Sequence, residues 1–182
     1  GIKAQLLDNK LRLNSALFRT EFDNLQVSLL DGDTNTFFIG NAASATTQGL
    51  ELDATYLLTD NIIIGGSATY LDSQFDEFPG APCATSIYQQ SDCIVTPAGA
   101  SRNAKGDSLI HSPDWSANFY IDYSSEFTDS MLLNVNISGN YVGDHYLNLT
   151  YAEPLTQSDY TKWNARISIA DIDEEWEVAL VG

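Results

Sequence analysis

The chain has 182 residues, of which 25 are acidic and eight are basic, so its net charge at pH 7 is −17. This charge excludes nucleic-acid binding, because contact with a phosphate backbone requires a basic surface. No run of about 20 apolar residues is present, which excludes a transmembrane helix. The chain starts with neither an initiator Met nor a signal peptide, so we expect a fragment or a processed product.

The first part of the chain alternates between apolar and polar side chains, which indicates strands. Residues 1–7 form a first strand, residues 8–10 form a polar turn, and a long strand follows at residues 11–30. The alternation slips at residues 19–24, which predicts a β-bulge. Residues 31–36 form a polar loop. Its acidic residues at alternate positions could bind Ca²⁺, which prefers carboxylate oxygens. The bidentate acid of a calcium loop is missing, however, so we expect a solvated turn.

Residues 47–70 carry the clearest pattern in the sequence. Two apolar arms flank residues 59–61, a Thr-Asp-Asn segment that predicts a tight turn, because Asp and Asn hydrogen-bond their own backbone. Glu51, Asp53 and Thr55 lie on the opposite face of the first arm. The pattern predicts a long antiparallel hairpin with one apolar face. That face comprises Leu50, Leu52, Ala54, Tyr56, Leu58, Ile62, Ile64, Gly66, Ala68 and Tyr70.

Residues 76–112 have little periodicity, and we predict a long irregular loop. The two cysteines of the chain, Cys83 and Cys93, lie in this loop among several prolines. A metal site would usually need closer spacing and further ligands, so a loop-closing disulfide is favoured over metal binding. A disulfide indicates an oxidising compartment, either the periplasm or the cell surface.

Alternation returns at residue 113 and continues to the last residue. The predicted strands are residues 115–124, 131–141, 161–169 and 176–180. Short turns at residues 128–130 and 171–175 connect the first two and the last two strands. A longer loop at residues 145–159 separates these pairs.

Short turns and long loops alternate along the chain, as in outer-membrane β-barrels, where they lie on opposite rims. Strands of ten or more residues also match a tilted bilayer span. A soluble β-sandwich alternates in the same way, but its strands typically have five or six residues. We therefore favour a transmembrane β-barrel whose apolar face meets lipid.

Two sets of residues follow from the barrel interpretation. Amphipathic rings near strand ends are predicted to form girdles at the two membrane–water interfaces. These aromatic residues are Tyr56, Tyr70, Trp115, Tyr123, Tyr141, Trp163 and Trp176. Polar residues of the opposite face are predicted to line the lumen, namely Glu51, Asp53, Asn134, Asn136, Lys162 and Arg166.

Four segments of the sequence are similar to one known family. Residues 41–56, a small-residue segment followed by a Gly-Leu-Glu step into a strand, resemble the barrel of TonB-dependent outer-membrane receptors. Residues 11–27 resemble the upward strand that precedes this segment. Residues 78–83, with Cys93 and then residues 112–118, resemble an extracellular loop and the downward strand after it. The segments follow the order of the family, and the resemblance covers nearly the whole chain.

The resemblance implies an all-β, antiparallel barrel of 22 strands with a plug domain, of which this chain would supply about eight strands. It also implies the outer membrane of a Gram-negative bacterium, contact with lipid and lipopolysaccharide, and energy from the TonB complex through a missing N-terminal part. The implied activity is uptake of a scarce ligand, a metal chelate such as a ferric siderophore. Residues 76–112 would belong to the extracellular gate, and this chain alone cannot transport.

The sequence contains no grouping that indicates catalysis. Glu51 and Asp53 form an acid pair without a third catalytic group, and His111 and His145 lie in loops. We therefore expect no enzyme, no metal site and no cofactor. Two alternatives stay open: a complete eight-stranded outer-membrane barrel, structural or enzymatic, and a soluble β-rich binding module. A complete barrel usually ends on a closing aromatic residue, and a module would be a folded monomer without detergent.

Overall fold

The computed structural model describes residues 1–31, 36–83, 92–96, 99–150, 152, 155–173 and 175–182. The strands are β1 (Ile2–Leu6), β2 (Leu11–Asp31), β3 (Thr36–Thr59), β4 (Ile62–Glu77), β5 (Pro79–Pro82), β6 (Ile94–Thr96), β7 (Gly99–Asn103), β8 (Trp115–Thr128), β9 (Met131–Val142), β10 (His145–Tyr146), β11 (Thr156–Gln157), β12 (Tyr160–Asp171) and β13 (Glu177–Val181). Among these residues, no helix is long and apolar enough to cross a membrane.

The main sheet has eight strands in the order β1-β2-β3-β4-β8-β9-β12-β13. Every neighbouring pair is antiparallel, so the sheet is a meander in which β1 and β13 are the edges. The connections after β1, β3, β8 and β12 are short and lie on one rim, because successive strands run in opposite directions. The predicted all-β, antiparallel fold with short turns on one rim is therefore confirmed.

The strands β3 and β4 form the predicted hairpin, with Tyr56 opposite Ile64 and Leu50 opposite Tyr70. Strand β3 begins at Thr36, well before the alternation that starts at residue 47. The three consecutive strands β2, β3 and β4 therefore extend beyond the level at which the neighbouring strand β8 begins.

The bulge predicted in β2 is confirmed. The register between β2 and β3 shifts between Phe22 and Leu25. Within this shift Asn24 has a φ of 57°, a left-handed conformation that Asn tolerates better than most residues. The extra residue ends the alternation of apolar and polar side chains that begins at Leu11.

The prediction that residues 76–112 are irregular is wrong. Strands β5, β7 and β6 form a three-stranded antiparallel sheet, which we call the loop sheet. The predicted loop at residues 145–159 likewise contains the pair β10–β11. These strands have two to five residues, too few for periodicity to reveal them. Parts of two predicted loops lie outside the described residues. They are residues 32–35 of the loop considered for calcium, and residues 84–91 and 97–98 of the predicted gate loop.

The register divides the described side chains of the paired strands between two faces of the main sheet, because cross-strand partners lie on the same side. Large apolar residues of the apolar face are exposed: Leu17 by 80%, Trp163 by 62% and Ile167 by 46%. In the described part of the chain the other sheets have only three and two strands, and no second large sheet covers this face. A soluble β-sandwich would bury such a face against a second sheet, so this exposure favours the predicted barrel wall. The apolar face comprises Ile2, Ala4, Leu6, Leu11, Leu13, Leu17, Leu50, Leu52, Ala54, Tyr56, Ile64, Gly66, Ala68, Tyr70, Trp115, Ala117, Phe119, Ile121, Tyr123, Leu133, Val135, Ile137, Gly139, Tyr141, Trp163, Ala165, Ile167, Ile169, Val178 and Leu180.

Candidate functional site

Between the short turns and the pair Tyr70–Trp115, the opposite side of the main sheet, the polar face, contains nearly all of the charged and amide side chains. The residues predicted to face a lumen all belong to it, namely Glu51, Asp53, Asn134, Asn136, Lys162 and Arg166. Further members of the polar face are Lys3, Arg12, Asn14, Ser67, Asn118, Asp122, Ser124 and Glu177.

Hydrogen bonds cross the polar face between neighbouring strands. The Asn14 side-chain amide donates to Asp53 at 2.6 Å, linking β2 to β3. On the next hairpin the Asn136 amide donates to Asp122 at 2.6 Å, linking β9 to β8. These amide–carboxylate pairs hold the acids in place, which makes the polar face an ordered surface. The alternation identified Asp53 and Asn136, but their partners depend on the register of two strands and could not be read from either strand alone.

The basic residues of β12 lie at one end of the polar face. Arg166 donates to Glu177 of β13 at 2.7 Å and to Ser168 at 2.9 Å. The ammonium group of Lys162 lies 5.3 Å from the centre of the Tyr160 ring, a cation–π contact.

Two acidic residues of β3 lie toward the opposite edge of the polar face, near β1 and β2. Glu51 and Asp53, with Ser67, Thr69 and Asn14, border an open groove of about 560 Å³. Lys3 also lines the groove, so the groove contains a basic group beside the two acids.

The apolar face contains six of the seven aromatic residues predicted as girdles, namely Tyr56, Tyr70, Trp115, Tyr123, Tyr141 and Trp163. Tyr70 and Trp115 are cross-strand partners toward the long-loop end, with ring centres 5.0 Å apart. Trp163 makes an edge contact at 5.0 Å with Phe119, which the sequence reasoning missed. Tyr56, Tyr123 and Trp176 lie nearer the short turns.

The polarity of β2, β3 and β4 reverses beyond the pair Tyr70–Trp115. On the apolar side Arg19 donates to Gln48 at 3.0 Å, and Gln48 donates to Asp72 at 2.8 Å. The opposite side now carries apolar residues, because Ala45 and Phe75 are cross-strand partners and are almost fully buried. The extended strands therefore bury an apolar surface on the same side as the polar face.

The loop sheet packs on that buried surface. Phe78, just before β5, is completely buried, and its ring centre lies 5.0 Å from that of Phe75. Ala81 and Ala104 are also completely buried in the same cluster, which Val27, Ala43 and Ala45 complete. Burial of these side chains fixes the loop sheet against β2 to β4 through the hydrophobic effect.

Covalent and ionic contacts hold the loop sheet together. Cys83 and Cys93 form the predicted disulfide, with Cα atoms 6.2 Å apart. Arg102 of β7 is only 6% exposed and pairs with Asp107 and, at 3.2 Å, with Asp92 next to the disulfide. A buried guanidinium tolerates loss of water only when it is paired in this way. Because both cysteines are in the disulfide, the alternative of a cysteine metal site is wrong.

The two long connections of the main sheet also contact each other. The backbone N–H of His111 donates to the carbonyl of Tyr146 at 2.8 Å. Leu109 and Leu149, one from each connection, both pack against the buried cluster around Phe75. The loop sheet and the segment after β9 therefore form one loop assembly. Among the described residues, no group of three or more His, Cys, Asp or Glu side chains could hold a metal ion.

The family model of the TonB dependent receptor-like β-barrel matches residues 1–182. The chain belongs to this family. Its members are transport receptors of the Gram-negative outer membrane, not enzymes. The resemblance noted from the four sequence segments is therefore confirmed, and the main sheet is a segment of a receptor barrel.

Individual relatives agree with this assignment. The chain is 38% identical over 74 residues to the probable TonB-dependent siderophore receptor PiuA of Acinetobacter baumannii, a match that covers 41% of this chain and 9% of PiuA. The chain thus spans only a small part of the relatives that it matches.

Solved receptors share the fold at low sequence identity. The crystal structure of the siderophore receptor PiuA gives a TM-score of 0.64 at 21% identity, covering 98% of this chain and 22% of PiuA. The ferric-catecholate import receptor Fiu from Escherichia coli K12 gives 0.57 at 18% identity, with coverages of 91% and 20%. The ferric yersiniabactin uptake receptor FyuA from Yersinia pestis gives 0.59 at 16% identity, with coverages of 95% and 26%.

Proposed function

We propose that this chain forms part of the wall and the extracellular mouth of an outer-membrane receptor that imports a metal chelate. The observation that carries the proposal is the match of the family model to the whole chain. The division of the main sheet into one apolar and one polar face supports it, because barrels of this kind meet lipid outside and enclose a polar interior. The protein binds and moves its ligand without changing it chemically.

In this proposal the apolar face lies in lipid between two aromatic levels. The bilayer would end near Tyr70 and Trp115, where the outward side of β2 to β4 changes from apolar to hydrogen-bonded polar residues. Arg19, Gln48 and Asp72 would then lie at the height of the lipopolysaccharide head groups. Rings such as those of Tyr70 and Trp115 are favoured at this boundary because they are apolar with one polar atom.

The polar face would surround the plug domain. Glu51 and Asp53, with the ordered amides of Asn134 and Asn136, offer acceptors and donors to a folded domain inside the barrel. Lys162 and Arg166 supply positive charge on the same face. The plug and the segment that contacts TonB belong to parts of the receptor beyond this chain.

The loop assembly would form part of the ligand gate on the cell surface. Its disulfide, buried arginine and apolar cluster fix the loop sheet, so that a preformed rim meets the ligand. The ligand class is a ferric siderophore or a similar complex, as the descriptions of PiuA, Fiu and FyuA state for those receptors.

Uptake of ⁵⁵Fe-labelled siderophores in the native bacterium tests the proposal. Deletion of the gene should abolish uptake of at least one ferric chelate, and inactivation of TonB should have the same effect on that chelate. Complementation with the intact gene is the control. If the deletion leaves uptake of every chelate in a broad siderophore panel unchanged, the proposed ligand class is wrong.

A further inference from the structure

The two histidines of the chain meet where its two long connections touch. His111 lies between the loop sheet and β8, and His145 begins β10 just after β9. Their ring centres are 6.3 Å apart, and the ring planes are inclined by 59°. The hydrogen bond from the His111 N–H to the Tyr146 carbonyl, at 2.8 Å, holds the two segments side by side.

The ring of His145 is oriented by its own backbone. Its Nδ1 atom lies 2.9 Å from the carbonyl oxygen of Gly143. A carbonyl oxygen can only accept, so Nδ1 carries the proton, and in the neutral ring Nε2 keeps its lone pair. Metal-binding histidines usually have this arrangement, in which the second ring nitrogen donates to a carbonyl or a carboxylate. Gly143 is itself held by a hydrogen bond from its N–H to the Trp115 carbonyl at 2.8 Å.

His111 brings a second imidazole to the same place from the other connection. Its side chain is exposed, so an ion from the solvent can reach the ring. Its φ of 55° is in the left-handed region, which His adopts more readily than most residues. The backbone bond to Tyr146 fixes the position from which this ring projects.

We propose that His111 and His145 together bind one divalent cation of the borderline class, Cu²⁺, Ni²⁺ or Zn²⁺, for which imidazole is a suitable ligand. With a metal–nitrogen distance of about 2.1 Å and a ring radius of roughly 1.1 Å, two rings on one ion have centres at most about 6.4 Å apart. The observed 6.3 Å lies at this limit. A tetrahedral site would need the rings to approach by about 1 Å, which a side-chain rotation can supply.

The pair leaves coordination positions open. Within the described residues no third His, Cys, Asp or Glu joins it. Water, or a donor atom of a small chelate, would complete the coordination. The inference goes beyond uptake of ferric chelates, because the protein itself would bind the cation and thereby join the two connections of the loop assembly.

Titration of the purified intact receptor with Cu²⁺, without any siderophore, tests the site. Electron paramagnetic resonance should show a Cu²⁺ ion coupled to two imidazole nitrogens. In His111→Asn and in His145→Asn this two-nitrogen signal should be lost and the affinity should fall at least about tenfold, since even loss of an outer-shell partner costs 10–100-fold. Asn tolerates the left-handed backbone at His111, and at His145 its amide can still donate to Gly143.

The double variant separates a shared site from two independent ones. It should bind Cu²⁺ no more than about twofold more weakly than either single variant, because one substitution already destroys a shared site. Asp144→Asn, next to His145, is the matched control and should leave the affinity and the signal unchanged. Single variants that keep the two-nitrogen signal, or two losses that simply add, would overturn the proposal. The result is independent of whether the receptor takes up ferric chelates.

Discussion

An arginine on either face of the main sheet tests which face meets lipid. Ala54 lies on the apolar face of β3. It is four residues from Leu50, the cross-strand partner of Tyr70, and four residues from Leu58, near the short turn. Ser67 lies on the polar face at the same depth, opposite Asp53. Ala54→Arg and Ser67→Arg therefore place the same side chain at one level on opposite faces.

The two substitutions should differ in cost by about 0.5–3.5 kcal/mol, with Ala54→Arg the more costly. An arginine that faces lipid at the middle of the bilayer costs about 2–4 kcal/mol. Ser67→Arg removes the hydrogen bond from the Asn118 amide, 2.6 Å long, whose net worth is about 0.5–1.5 kcal/mol. The new guanidinium would lie beside Asp53, which offsets part of that loss. The cost of placing arginine in lipid would by itself lower the folding equilibrium constant of Ala54→Arg by roughly 30-fold to several hundredfold.

Reversible unfolding of the intact receptor in phospholipid vesicles measures this difference. Tryptophan fluorescence during a guanidinium titration reports unfolding, because Trp115 and Trp163 lie on the apolar face and lose their lipid surroundings. Ala54→Leu is the control for added side-chain size without charge and should be close to wild type. Equal destabilisation by the two arginines, or a larger effect of Ser67→Arg, would refute the assignment of the faces.

Three further changes test the packing of the sheet and of its loop assembly. Arg102→Gln should destabilise the loop sheet by about 1.5–3 kcal/mol, because the buried side chain loses its charge-assisted hydrogen bonds to Asp107 and Asp92. Arg19→Gln, in an exposed pair, should cost at most about 1 kcal/mol. Limited proteolysis measures both. Gly139→Ala should cost about 1–3 kcal/mol in denaturant titrations, since its methyl group would meet the Phe119 ring. Cys83→Ser should lower the free energy of loop opening by about 3 kcal/mol, seen as faster cleavage between the former partners.

The face of each strand could be predicted from the sequence because the side-chain period of a strand is two. This period placed Glu51 and Asp53 opposite Leu50 and Leu52, and the structure keeps that division. The break in the period also revealed the bulge in β2, since one extra residue moves every later side chain to the other face.

The partners across strands could not be predicted in the same way. The bond from Asn14 to Asp53 depends on the register of β2 against β3. The pair of Arg166 and Glu177 likewise needs the register of β12 and β13. The alternation of one strand contains no information about such an offset.

The loop sheet escaped prediction for a different reason. Its strands are three to five residues long, and tertiary contacts rather than local pattern stabilise them. In the sequence Phe78 is a single aromatic residue in a proline-rich segment, and nothing near it predicts burial. In the structure it is completely buried, because its ring packs on that of Phe75. The buried pairing of Arg102 is equally invisible, because its partners come from other segments.

The reversal of polarity in β2 to β4 links the membrane wall to the loop assembly. Up to Tyr70 the outward side is apolar, and beyond it Gln48 and Asp72 are joined by a hydrogen bond on that side. In the proposed orientation water would replace lipid at this level, so the outward side would no longer gain from being apolar, and the inward side can bury Phe75 and Ala45 instead. The strands that would span the membrane thus also provide the surface on which the loop sheet is anchored. In the proposed receptor, a change at the ligand-facing loops would therefore reach the wall through this apolar cluster.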